Sequence, residues 1–160
     1  MRKWTILLAF GVALVGALVL GRMSASGSTP PAAVRVPLAA GMPSWVKGYQ
    51  LSLFRVTIPA HVKLPPHRHP GMSASYISSG LIDYTVYRGK VVVSRGAADG
   101  TQTVVRTIGP GETGAIPAGD WIVEYPGTWH AAANPTAKPT VVLQSTLLIA
   151  KLPVAIPVTP

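Results

Sequence analysis

The sequence predicts an all-β fold, a small sandwich or barrel, preceded by one N-terminal hydrophobic helix. Three observations lead there. Short segments alternate apolar and polar residues with a period of two, as in Phe54–Ile58 and Ile82–Val86. Sixteen glycines and sixteen prolines punctuate the 160 residues and leave few stretches long enough for a helix. The one long apolar run, Thr5–Leu20, stands at the start, behind Met1-Arg2-Lys3.

Residues 1–26 combine that basic start and apolar run with the small residues Ser24-Ala25-Ser26. They read as a secretory signal cleaved near Ala25 or Ser26, with an uncleaved membrane anchor as the alternative. The basic residues ahead of the run direct the remainder out of the cytoplasm. The expected location is periplasmic or secreted, or anchored to the inner membrane facing the periplasm. Residues 27–48 are rich in Pro, Gly and Ser and read as a linker, with room for one short strand around Val34–Leu38.

Residues 49–152 form the expected domain. Strand patterns fall at Phe54–Ile58, Tyr76–Val86, Val91–Ser94, Val104–Ile108, Trp121–Tyr125 and Val141–Ile149. Gly96-Ala97-Ala98-Asp99-Gly100 has the composition of a hairpin tip. Thr140–Leu152 is the longest stretch without Gly or Pro. Its Val- and Thr-rich start favours a strand, with a helical turn as the alternative.

Composition narrows the chemistry. The absence of cysteine removes disulfides, thiolate metal sites and Cys nucleophiles. Beyond the first 26 residues, eleven basic residues face five acidic ones, and they are scattered singly. No basic run interleaved with aromatics occurs, so nucleic acid is not an expected partner. The surplus reads as a solubilising surface that favours anionic substrates or an anionic membrane face.

The candidate chemistry lies in two compact motifs. Pro66-His67-Arg68-His69-Pro70-Gly71 places two imidazoles two residues apart. On an extended chain they share a face and can share one metal ion. His130 sits in the second motif, Gly119 to Asn134. A polar loop is the alternative for the first motif taken alone.

Together the two motifs resemble the cupin superfamily. The first cupin motif runs His-x-His, three or four residues, Glu, six residues, Gly; here His67, His69 and Gly80 are in register. The second runs Gly, five residues, Pro-x-Gly, two residues, His, three residues, Asn; Gly119, Gly127, His130 and Asn134 match it, with Tyr125 in the Pro position and Pro126 after it. The resemblance spans about residues 50–150 and implies a small jelly-roll β-barrel with a metal in its mouth. It implies His67, His69 and His130 as the metal ligands. The family's carboxylate ligand falls at position 73, where this chain has Ser73.

That departure implies a three-histidine site with open positions. Imidazoles suit Fe, Zn, Cu or Ni, and loss of the carboxylate disfavours harder ions such as Mn. Glu124, the only Glu near His130 in sequence, is expected as a salt-bridge residue or a support behind the ligands. It is also the candidate to replace the missing ligand and, with no general base obvious, the best carboxylate candidate for that role. Ser73, Met72, Tyr76 and Trp129 are candidate walls of a substrate pocket, as are Tyr84 and Trp121. The alternative for the aromatics is plain core packing. Asn134 is expected to pin backbone, His61 to be a surface or rim residue, and Asp83 and Asp120 to be turn or strand-face charges.

Two functions compete. One is a metal-dependent enzyme of oxidoreductase or dioxygenase-like character, acting on a small molecule. The other is a binding or sensor module without turnover. A decayed site that leaves only a barrel and an oligomer interface is a third reading. The expected partners are a small molecule, the membrane if the N-terminal segment stays, and a second copy in a homodimer through edge strands.

Overall fold

The computed structural model describes residues 31–97 and 99–160. The expected signal or anchor at 1–26 lies outside the described residues. Among those described, no helix is long and apolar enough to cross a membrane.

Twelve strands follow one another: β1 (Val34–Gly41), β2 (Tyr49–Ile58), β3 (Lys63–Arg68), β4 (Gly71–Ser79), β5 (Leu81–Arg88), β6 (Val91–Gly96), β7 (Gln102–Ile108), β8 (Thr113–Pro117), β9 (Asp120–Glu124), β10 (Trp129–Ala133), β11 (Thr140–Ile149) and β12 (Ile156–Pro157). They pair antiparallel in two sheets. The larger has the order β1-β2-β11-β4-β9-β6-β7 and the smaller β12-β3-β10-β5-β8. The fold is the expected jelly-roll barrel.

Alternation explains the core. On β2, Val56 and Ile58 face in while Arg55 faces out. On β5, Ile82, Tyr84 and Val86 face in; on β9, Ile122 does. These meet Ile77, Val93, Ile116 and Val142 from the other strands in one buried cluster. Successive inward side chains two apart from both sheets fill the barrel, as the period of two requires. β11 runs through Thr140–Ile149 as a strand, paired with β2 along its whole length. The helical-turn alternative does not occur there, because Thr140, Val142, Gln144, Thr146 and Leu148 keep the inward parity.

Two turns set the site. A Cβ at Gly71 would overlap the Leu147 carbonyl oxygen, so only glycine lets β4 approach β11 directly after the histidines. Thr128 N–H donates to Tyr125 O at 3.1 Å, with Pro126 and Gly127 (φ 90°) between them. That is a type II turn, and Tyr125 in place of the family's Pro leaves it intact.

The barrel draws on chain at both ends of residues 49–152. The strand allowed for near Val34 extends over Val34–Gly41 and pairs with β2, so part of the stretch read as a linker is an edge strand. At the other end, β12 pairs with β3 beside His67. The hairpin tip expected near Gly96–Gly100 joins β6 to β7, closed by Ala97 N–H to Thr101 O at 2.8 Å.

Candidate metal centre

The three histidines meet. His67 is the penultimate residue of β3, His69 follows the strand, and His130 lies on β10 directly across from His67. Their ring centroids are 4.3 to 5.2 Å apart, and one nitrogen from each lies within 4.8 Å of the others. All three are buried or nearly so.

The neighbours fix which nitrogen faces the centre. His67 Nδ1 lies 2.8 Å from Pro65 O and His69 Nδ1 2.5 Å from Val154 O. A carbonyl can only accept, so each Nδ1 carries a proton, and the neutral imidazole then presents its Nε2 lone pair. Val154 belongs to the C-terminal tail, which Val158 N–H ties back to Pro66 O at 3.1 Å. His130 directs Nε2 inward and packs flat against Tyr84.

Glu124 completes the cluster. On β9 it shares the inward parity of Asp120 and Ile122. Strand alternation therefore turns it into the site, where it had been expected mainly as a salt-bridge residue. Glu124 Oε2 lies 3.3 Å from His69 Nε2, and Oε1 lies 3.3 Å from His130 Nε2. Tyr84 Oη donates to Oε1 at 2.6 Å. Oε2 is buried and has no hydrogen-bond donor.

The strand register accounts for the missing ligand. Ser73 on β4 and Glu124 on β9 are direct partners in the large sheet. Residues so paired put their side chains on the same face about 5 Å apart. The carboxylate absent at 73 therefore enters the same space from the adjacent strand. Ser73 accepts from Gln144 Nε2 at 3.0 Å and takes a supporting place behind it.

Electrostatics suit ligation. Burial pushes the His130 imidazole from 6.5 down to about 4, against a partial offset from Glu124. Burial also lowers His67. Both are neutral at pH 7 and need shed no proton to bind a metal. Burial acts to raise Glu124, but the neighbouring His130 and His69 imidazoles and the hydrogen bonds of Tyr84 and Ser73 outweigh it and hold the carboxyl below its usual range. Burial, then Glu124, holds the Tyr84 phenol well above its usual range, so it stays a donor.

Four of the proposed pocket walls face elsewhere, among them Trp121, which lies between inward Asp120 and Ile122 on β9. Met72 and Tyr76 lie on the outer face of β4, both exposed, while Gly71, Ser73, Ser75 and Ile77 face in. Trp129 precedes inward His130 and packs under the Arg88 guanidinium, 5.5 Å away. Counting in twos from His69 gives Ser73 and excludes Met72 and Tyr76, so the signal was present in the sequence. Tyr84, by contrast, lines the site. Asn134 pins backbone as expected, donating to Ile58 O, Pro59 O and Lys138 O at 2.8 to 3.1 Å. Asp120, expected on a turn or strand face, is buried in a two-point pair with Arg95 at 2.5 and 3.0 Å.

A chamber of about 50 Å³ adjoins His67, His130 and Glu124, and an outer pocket of about 220 Å³ reaches His67 from the barrel mouth.

No family model and no curated protein matches the chain. Several solved structures do. A conserved protein of unknown function from Streptococcus pyogenes is 16% identical over 75% of this chain and 77% of that one, at a TM-score of 0.48. A cupin superfamily protein from Desulfitobacterium hafniense is 15% identical over 76% and 82%, at 0.47. Bacillus subtilis oxalate decarboxylase, described with Mn(II) centres, is 21% identical over 68% of this chain but only 24% of its own, at 0.44. Cupin-superfamily proteins are thus among the solved structures to which this chain is similar.

Proposed function

We propose that this chain is an exported, metal-binding barrel that takes a small molecule at one divalent transition ion held by His67, His69, His130 and Glu124. One observation carries the metal. His69 Nε2 faces Glu124 Oε2 at 3.3 Å, while its Nδ1 serves Val154 O. The two buried atoms converge on one point, and a bound cation there would satisfy both. An uncompensated buried carboxylate costs several kcal/mol, a cost a bound ion removes.

The donor set, three nitrogens and one carboxylate oxygen, also alters the choice of ion. The argument against Mn rested on a missing carboxylate. With Glu124 in place, Mn joins Fe, Zn, Cu and Ni as suitable ions. A bound ion of this kind supplies Lewis-acid or redox chemistry at its open positions. The chain's own residues orient the ligands: Pro65 O and Val154 O hold the imidazoles, and Tyr84 and Ser73 hold the carboxylate. The apolar run Thr5–Leu20 behind its basic start supports export.

A non-catalytic carrier or sensor is the second reading, and a specific observation favours it. Glu124 is the only carboxylate lining the chamber, and as a ligand it leaves no free base among the described residues there.

Elemental analysis of the full chain, purified in detergent, tests the metal. About one transition ion per chain is expected, because the cluster completes a single centre. His130→Ala should lose it. Equal metal content in that variant and wild type would sink the proposal. Oxygen uptake by the iron-loaded chain across small phenolics, thiols and keto acids separates enzyme from carrier.

A further inference from the structure

Arg35 is the residue that the metal centre leaves unexplained. It lies on the edge strand β1 opposite Val56, and Val56 faces the barrel interior. Cross-strand partners share a face, so Arg35 extends inward although β1 is exposed along its length. It lines both the inner chamber and the outer pocket, and among the described residues it is the only permanent cation that lines either. Gln144 Oε1 accepts from its Nη2 at 3.3 Å, and the Phe54 ring lies 5.5 Å beneath the guanidinium. The head group is thereby aimed at the junction of the two spaces.

It has no anionic partner. All five acidic residues are described, and none has a carboxylate oxygen within 4.0 Å of Arg35. Asp120 pairs with Arg95, Asp99 accepts from Thr101, Glu112 accepts from Gly109 N–H, Glu124 serves the histidines, and Asp83 lies on β5. Burial is the main cause that lowers the Arg35 pKa, with Glu124 in partial opposition. A partly exposed guanidinium without a counter-charge is open to an anion, and a planar anion is its natural complement.

The rest of the outer pocket is apolar, with Val56, Leu64, Pro66, Ala155 and Pro157 around His67. At about 220 Å³ beside a chamber of about 50 Å³, the space falls just short of sites for drug-sized ligands, which start at about 300 Å³. We infer that the ligand of this barrel is a small carboxylate with a short apolar body, its anionic head bound by Arg35. The assignment rests on the proposed metal centre only in placing the ligand's reactive end toward His67.

The test is an NMR titration of the full chain in detergent micelles, with metal content measured on the same samples. The probes are butyrate and its neutral isostere butyramide. Wild type should bind butyrate at least about tenfold more tightly, the scale of one charge-assisted hydrogen bond. R35M should lose that preference at unchanged metal content, and R35K should retain part of it. If R35M melts early, R35Q takes its place, keeping a polar head without the charge. Equal binding of the two probes by wild type, or butyrate binding by R35M at wild-type strength, overturns the inference. An Arg35-dependent preference in chains that hold no metal would sink the metal centre and leave the anion site standing. Full metal content with no preference does the reverse.

Discussion

At the scale of single residues, the centre turns on Glu124 and Ser73. Both are buried, Glu124 lines the chamber, and the two sit at one level of the β4–β9 pair. A carboxylate at either position reaches the same nitrogens, which makes an exchange informative. Glu124→Gln keeps the shape and the Tyr84 contact but removes the charge that a divalent ion needs. Loss of an outer partner costs about 10–100-fold in metal affinity, and loss of a direct ligand should cost more. E124Q should therefore weaken binding by at least about a hundredfold in chelator competition. E124S combined with S73E should recover most of it. If E124Q binds as wild type does, or the double variant is no better than E124S alone, Glu124 is not a ligand. His67 and His69 were legible from their spacing, and His130 from the resemblance of its motif. Glu124 was not, because the turn at Tyr125–Thr128 breaks the parity count from His130, and only the apolar Ile122 two residues earlier shows which way it faces.

At the scale of elements, strands with one buried face were legible and those without were not. β2, β5 and β11 carry an unbroken alternation that forces a single register. β1 is exposed throughout and β12 is two residues long, so neither leaves a periodic trace. Yet both border the site: β1 brings Arg35, and the tail leading to β12 brings Val154 O. A chain ending at Leu152 would lose the acceptor that sets the His69 tautomer. It would also lose the Val158-to-Pro66 tie. The two residues of β12 contribute little to the sheets, so the barrel should persist by circular dichroism. Metal affinity should fall about 10–100-fold, as for other partners that orient a ligand. Unchanged affinity in the truncated chain would remove the tail from the site.

At the scale of the whole molecule, the sequence could not place His130 beside His67 without the resemblance that linked the two motifs. That contact depends on pairing between β3 and β10, which are distant in the chain, and no local propensity encodes it. The same long-range packing buries the titrating groups, and this governs how the barrel responds to acid. In the metal-free chain, His130 is held at about 4 by burial, and His67 is lowered as well. Unfolding returns these imidazoles to about 6.5. Between those values the unfolded chain binds protons that the fold refuses, so stability falls as pH drops from 6.5 toward 4. For His130 alone the loss is on the order of 3 kcal/mol, from about 1.4 kcal/mol per pH unit. Glu124, held below its usual range, acts in the same direction: its stabilisation is present above 4.5 and is lost as pH falls further. The groups share contacts and titrate as a cluster, so the measured curve belongs to all of them. Urea unfolding of the metal-stripped chain at pH 8, 6.5, 5 and 4 should show a plateau down to about 6.5 and a steady loss below it. His130→Asn should flatten that slope, because an amide of similar polarity does not titrate. A wild-type stability that stays level from pH 6.5 to 4, or a variant with an undiminished slope, would show that the buried imidazole does not carry the acid sensitivity.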